Sequence, residues 1–253
     1  MLRRALLAAV GALALATAAH ADLIPFATFD QASVNPAYNF VNNSNKKVYG
    51  FFSKKVNISF QFLVDNGYGA KETTIQAVET ITASASDTAS SNPAKGQNYD
   101  VQPLNKVIIT ITAKKPVDGK SLLLRVTDST GVIGGVDGST AATFLGDTTL
   151  GHKVNFSSDF LDFSKTKDRS YRVRLLGVEP ALAIDKDGYL ASFKAGVNQI
   201  REGQPTATFS ADVAPAKVAP NPEPSTLTLA AVGAAGLLGR RRLRRRADRQ
   251  DVS

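Results

Sequence analysis

The chain has 253 residues, 30 basic and 22 acidic side chains, a formal net charge of +8, two histidines and no cysteine. Without cysteine there is no disulfide, no thiolate nucleophile and no thiolate metal ligand. The charge is uneven. Residues 1–21 carry two arginines and no acid, residues 222–253 carry seven arginines against three acids, and residues 22–221 hold 21 basic and 19 acidic groups. The body is close to neutral, its lysines are scattered among acids, and nucleic acid is not an expected partner.

The first element is an export signal. Arg3 and Arg4 precede an almost wholly apolar run, residues 5–18, and Ala19-His20-Ala21 is a small-x-small exit. Basic, then apolar, then small-x-small is the secretory order. Cleavage between Ala21 and Asp22 is expected, so residues 1–21 stand apart from the fold.

Residues 22–213 read as one all-β extracytoplasmic domain. Apolar residues alternate at Val56, Ile58, Phe60, Phe62 and Val64, with Asn57, Ser59 and Gln61 between them. A period of two places the first set on one face of a strand. Asp65-Asn66-Gly67 then supplies a turn. Residues 71–82 fit a short helix, though Ile75 and Ile81 also fit a strand. Residues 84–96 (SASDTASSNPAKG) are small and polar and read as a long loop. Residues 106–113 (KVIITITA) alternate again, and Asp118-Gly119 joins them to a hairpin partner at residues 121–127. Residues 128–139 (DSTGVIGGVDGS) read as a glycine-rich loop that lacks the spacing of a nucleotide-binding motif. Tyr171, Val173 and Leu175 alternate with Arg172 and Arg174; residues 189–193 follow the Asp187-Gly188 turn; residues 206–213 close the domain. Eight to ten strands with frequent turns predict a β-sandwich or jelly-roll-like domain.

Candidates for chemistry are few. Once His20 leaves with the signal, His152 is the remaining histidine, in a Leu-Gly-His-Lys setting that reads as a turn. No G-x-S-x-G accompanies it, and zinc sites use several His or Cys ligands. Asp185 and Asp187 flank Lys186 ahead of Gly188, which calcium could use, although the full loop pattern is missing and a β-turn also explains it. Glu72, Glu79, Glu179 and Glu202 are the body glutamates available to a carboxylate-dependent polysaccharide hydrolase. The body lacks tryptophan, and most of its aromatics sit at inward strand positions, which argues against sugar processing but leaves weak polysaccharide association open. No catalytic residue, cofactor or metal is assigned.

The C-terminus is the most specific part. Residues 214–224 (APAKVAPNPEP) form a proline-rich linker ending in Pro222-Glu223-Pro224. Ser225 and Thr226 lead into residues 227–239 (LTLAAVGAAGLLG), and Arg240, Arg241, Arg242, Arg244, Arg245 and Arg246 follow. Thirteen helical residues reach ~20 Å against a hydrocarbon core of ~30 Å. Ser225, Thr226 and snorkelling arginine stems lengthen that reach. By the positive-inside rule the arginines stay cytoplasmic and the body faces outward, as the N-terminal signal also requires. Residues 225–246 are the expected membrane helix with its basic stop, and residues 247–253 a cytoplasmic tail.

The triplet, the apolar run and the basic cluster, in that order behind a signal peptide, resemble the sorting signal of PEP-CTERM proteins, the exosortase substrates of Gram-negative bacteria. The resemblance covers about 25 residues. It implies that an integral-membrane, cysteine-dependent exosortase recognises Pro222-Glu223-Pro224, cuts near it and passes the body to the cell surface or exterior. Such proteins are often linked to exopolysaccharide and biofilm matrix. The two prolines hold the strip extended, as a protease requires. The expectation is therefore an exported, non-enzymatic structural or adhesive body, delivered by secretion machinery and an exosortase. A secreted carboxylate-dependent hydrolase and a calcium-dependent adhesion module are the alternatives.

Overall fold

The computed structural model describes residues 23–31, 37–46, 48–66, 72–85, 87–94, 96–196 and 205–218. The signal residues with Ala21 and Asp22, the PEP strip with Ser225 and Thr226, and the arginine cluster lie outside the described residues.

The described chain is all β. The strands are β1 (Ile24–Gln31), β2 (Tyr38–Asn43), β3 (Val48–Ser53), β4 (Val56–Phe62), β5 (Thr74–Ser84), β6 (Ser90–Ala94), β7 (Gln97–Pro103), β8 (Asn105–Val117) and β9 (Lys120–Asp128). Then come β10 (Val132–Val136), β11 (Ala141–Asp147), β12 (Val154–Ser157), β13 (Leu161–Asp162), β14 (Arg169–Glu179), β15 (Phe193–Gly196), β16 (Ala207–Ala211) and β17 (Ala216–Lys217). Two 3₁₀ turns, Ser44–Lys46 and Thr148–Leu150, interrupt them. Among the described residues no helix is long and apolar enough to cross a membrane.

Fifteen strands hydrogen-bond into one antiparallel sheet, and β13 pairs separately with β17. Strand alternation explains most of it. In β4 the positions of Val56, Ile58, Phe60 and Phe62 are all buried, while Asn57 is exposed. In β8 the same holds for Val107, Ile109 and Ile111, and in β14 for Tyr171, Val173 and Leu175. The β8–β9 hairpin closes through Asp118 and Gly119, with φ of 51° and 74°. Two successive positive φ values make a tight turn whose twist matches its strands.

The segment open to a helical reading is strand β5. Ile75, Ala77, Glu79, Ile81 and Ala83 are its buried positions, so the period is two. The polar stretch 84–96 holds β6, an outer strand of the sheet, which needs no apolar face and tolerates Pro93. The glycine-rich stretch 128–139 holds β10. A Cβ on Gly134 would lie 2.3 Å from the Asp100 carbonyl oxygen, so glycine is what allows β7 this close. Of residues 189–193, Phe193 opens β15, and Leu190 makes an isolated bridge to Ile184.

A seam crosses the middle of the sheet. β3 and β4 run in series along one edge of β5, β1 and β2 lie beside them, and β16 and β15 follow along β14. Two legs, β4–β1–β16 and β3–β2–β15, thus join β5 to β14. Between Phe52↔Thr82 and Val56↔Glu79 the β3–β4 side has one residue more than β5, a bulge in which Lys55 takes φ 53°. Ring contacts show how the sheet curls. Phe156 of β12, at one end of the sheet, meets Phe26 of β1 at 5.3 Å and Phe209 of β16 at 6.4 Å. Phe51 of β3 meets Phe144 of β11 at 5.2 Å. Most of the core among the described residues is one large cluster built around these rings, with Val101, Val132 and Leu145 forming a small second one, and each ring pair contributes ~1 kcal/mol beyond its buried area.

The body continues through Val218. Of the stretch read as linker, Pro215 is buried and Ala216–Lys217 is strand β17.

Candidate functional site

The aspartate pair Asp185 and Asp187 comes first among the candidates for chemistry. Asp185 Oδ1 accepts the backbone N–H of Asp187 at 2.9 Å and of Tyr189 at 3.3 Å, and Oδ2 accepts the Asn42 side-chain amide at 2.5 Å. Gly188 sits at φ 79°. Both Asp185 oxygens serve a turn and tie it to β2. Among the described residues, no group of three or more His, Cys, Asp and Glu side chains is placed to hold a metal ion.

The glutamates are dispersed. Glu72 and Glu179 are exposed, Glu202 lies outside the described residues, and Glu79 has no exposed surface at all. Glu79 faces the seam. The bulge denies Ile81 its ladder carbonyl, and the Ser53 hydroxyl takes that role, accepting the Ile81 N–H at 2.7 Å. The same hydroxyl lies 2.9 and 3.1 Å from the two Glu79 carboxyl oxygens. Burial pushes the Glu79 carboxyl up to about 8, against the partial opposition of the Ser53 bond. Neighbouring Tyr38 is raised by its own burial and then by Glu79, and its hydroxyl has no hydrogen-bond partner among the described residues. Glu79 is sealed from solvent, and the Ser53 hydroxyl beside it repairs a ladder.

His152, expected at the surface or on a turn, follows the turn that ends at Gly151 and is buried, with 8 % of its surface exposed. Its backbone N–H donates to the Asp147 carbonyl at 3.1 Å, and Nδ1 lies 3.8 Å from Asp128 Oδ2. Tyr171 donates its hydroxyl to that same oxygen at 3.1 Å, while Asp128 Oδ1 accepts the Thr130 N–H at 2.9 Å. Asp147 Oδ1 caps the second 3₁₀ turn through Thr149 N–H at 2.8 Å. Gly146 makes room: a Cβ there would fall 2.2 Å from Asp128 Oδ2 and 2.4 Å from the Tyr171 ring. Burial lowers the imidazole pKa, against the pull of Asp128 and then Asp147. At 3.8 Å the Asp–His hydrogen bond of a triad is not made, and Nδ1 has no hydrogen-bond partner among the described residues. The cluster ties the ends of β9, β11 and β14 together. Nothing in the sequence marks it, because Asp128, Asp147 and Tyr171 are brought to His152 only by strand pairing.

A cleft of about 320 Å³ lies over β11, β14 and β16, lined by Asp147, Ser170, Arg172, Thr208 and Ser210 among others. On the outer surface Tyr49 and Tyr189 stack at 4.0 Å with their planes 5° apart, both partly exposed.

Residues 216–218, at the C-terminal end of the body, are held by backbone pairing. β17 pairs with β13 through Leu161↔Lys217 and Asp162↔Ala216, and the Val218 N–H donates to the Phe160 carbonyl at 2.9 Å. Beyond it, residues 222–245 match the family described as the PEP-CTERM protein-sorting motif. No curated protein and no solved structure matches the chain. The chain carries a PEP-CTERM sorting motif on an all-β body.

Proposed function

We propose that this chain is an exported protein held in the inner membrane with its body outward, cut by an exosortase near Pro222-Glu223-Pro224, and left at the cell surface or in the extracellular matrix. The match of residues 222–245 to the sorting motif carries this reading. The body serves as a structural or adhesive module, read as sandwich-like because the curled sheet packs Phe26 against Phe156 and Phe51 against Phe144. A non-enzymatic role draws support from the structural work of its acids: Glu79 accepts from the Ser53 hydroxyl that repairs the seam, Asp128 and Asp147 brace strand ends, and half-buried Asp185 builds a turn. Matrix polysaccharide is the partner class this reading favours, with the stacked Tyr49–Tyr189 pair as an aromatic surface beside Asn42 and Asp185.

The test is to replace Pro222, Glu223 and Pro224 with alanines in the native host. The altered chain should accumulate in the membrane fraction with Arg240–Arg246 still attached, while the parent is released. Equal release of both would sink the sorting reading.

A further inference from the structure

We propose that residues 216–218 are a detachable latch, and that their release from β13 precedes cleavage of the sorting signal. The inference rests on the sorting reading above. Only Ala219, Pro220 and Asn221 separate Val218 from Pro222 in the sequence. Four Cα-to-Cα steps reach ~14 Å at most, at roughly 3.6 Å each. A protease grips its substrate as an extended strip on both sides of the scissile bond, using backbone N–H and C=O groups. Upstream of Pro222 that strip soon runs into Val218, Lys217 and Ala216, whose backbone is already engaged with Phe160, Leu161 and Asp162. The enzyme and β13 therefore compete for one short segment.

The joint is built to yield. It is a two-residue ladder outside the large sheet, with Ala216 and Lys217 both exposed. Just upstream Pro215 is buried, and Asp212 is held on two sides, its N–H donating to the Asp168 carbonyl at 3.0 Å and its carboxylate accepting the Lys167 N–H at 3.0 Å. Release of residues 216–218, back to Pro215, leaves seven steps before Pro222, a reach of ~25 Å at roughly 3.6 Å each. An integral-membrane enzyme could then take the strip without drawing the whole domain against the bilayer.

The absence of cysteine makes the test clean. Asp162 and Ala216 are directly opposite in register and both exposed, so Asp162→Cys with Ala216→Cys can lock β17 onto β13. Trimming is followed by the mass of the C-terminal fragment in the native host, with intact mass confirming the bond. The oxidised chain should be trimmed at least tenfold more slowly than the same chain after reduction. Eight Gly-Ser residues inserted after Val218 should restore trimming to the oxidised chain, since the strip is then free without release of the latch. Val218→Pro, which removes the donor to Phe160, should be trimmed at least as fast as the parent. Equal trimming of the oxidised and reduced chains would overturn the latch and leave the sorting reading standing. A parent chain that is never trimmed near Pro222 would overturn both.

Discussion

The β8–β9 hairpin and the seam across the middle of the sheet satisfy their backbone groups in different ways. The hairpin turns at Asp118-Gly119 and keeps its register from Val107↔Asp128 to Ile111↔Leu124 on ladder bonds between alternating apolar residues. Its irregularities are confined to the end near the turn, where Asp159 Oδ2 accepts the Ser121 and Leu122 N–H groups at 3.0 and 2.8 Å. At the seam three neighbouring strand positions are interrupted, and side chains replace the missing ladder bonds. Ser53 accepts the Ile81 N–H, Asp30 accepts the Thr206 N–H at 2.9 Å, and Thr206 Oγ1 accepts the Gln31 N–H at 3.2 Å. A sheet can bend sharply where it is broken, but each break obliges it to bury polar groups. Glu79 is the costliest of these.

The largest expected effect follows from Glu79. Its carboxyl titrates near 8 in the folded chain and near the ordinary carboxylate value when unfolded. Below that ordinary value both states are protonated and nothing is lost. As pH rises from about 4.5 to about 8 the unfolded state ionises first, so stability falls, by up to ~5 kcal/mol, and then levels off. Glu79→Gln should abolish that slope in urea denaturation at pH 5 and pH 8. A variant with the parent's slope would mean the acid is not buried as described.

Ser53→Ala removes the acceptor for Ile81 and the donor to Glu79 together. A loss of ~2–3 kcal/mol is expected from two unsatisfied buried groups, read as a lower denaturation midpoint with an unchanged slope. A loss no larger than that of an exposed serine would show that the seam does not depend on this hydroxyl. Gly119→Ala places a side chain where φ is 74° in open surroundings, so it should cost only ~1 kcal/mol. If Gly119→Ala proved costlier than Ser53→Ala, the contrast between the two regions would be reversed.

That contrast also sets what was legible in the sequence. β4, β8 and β14 announce themselves because one face is apolar and the other polar. The bulge at residues 53–55 does not, because Ser-Lys-Lys looks like any turn between strands. β6 escaped because an outer strand of serine, asparagine and proline has no apolar face to betray it. β5 stayed ambiguous because Glu79 falls where an apolar residue belongs, which blurs the alternation between Ile75 and Ile81. The sequence around His152 reads as a surface or turn position; the residue follows the Thr148–Gly151 turn but is buried, because strand pairing brings Asp128, Asp147 and Tyr171 to it. The sorting motif was readable without any structure. Its information lies in the order of an extended strip, an apolar run and a basic stop, and no tertiary contact is needed to define that order.

The most direct test of the account is intact-mass and C-terminal peptide analysis of the protein from its native host, in membrane and extracellular fractions. The account predicts extracellular protein that begins at Asp22 and ends near residues 222–225. Chains found only in the membrane, with Arg240–Arg246 still attached, would show that the C-terminal segment is a permanent anchor and contradict it.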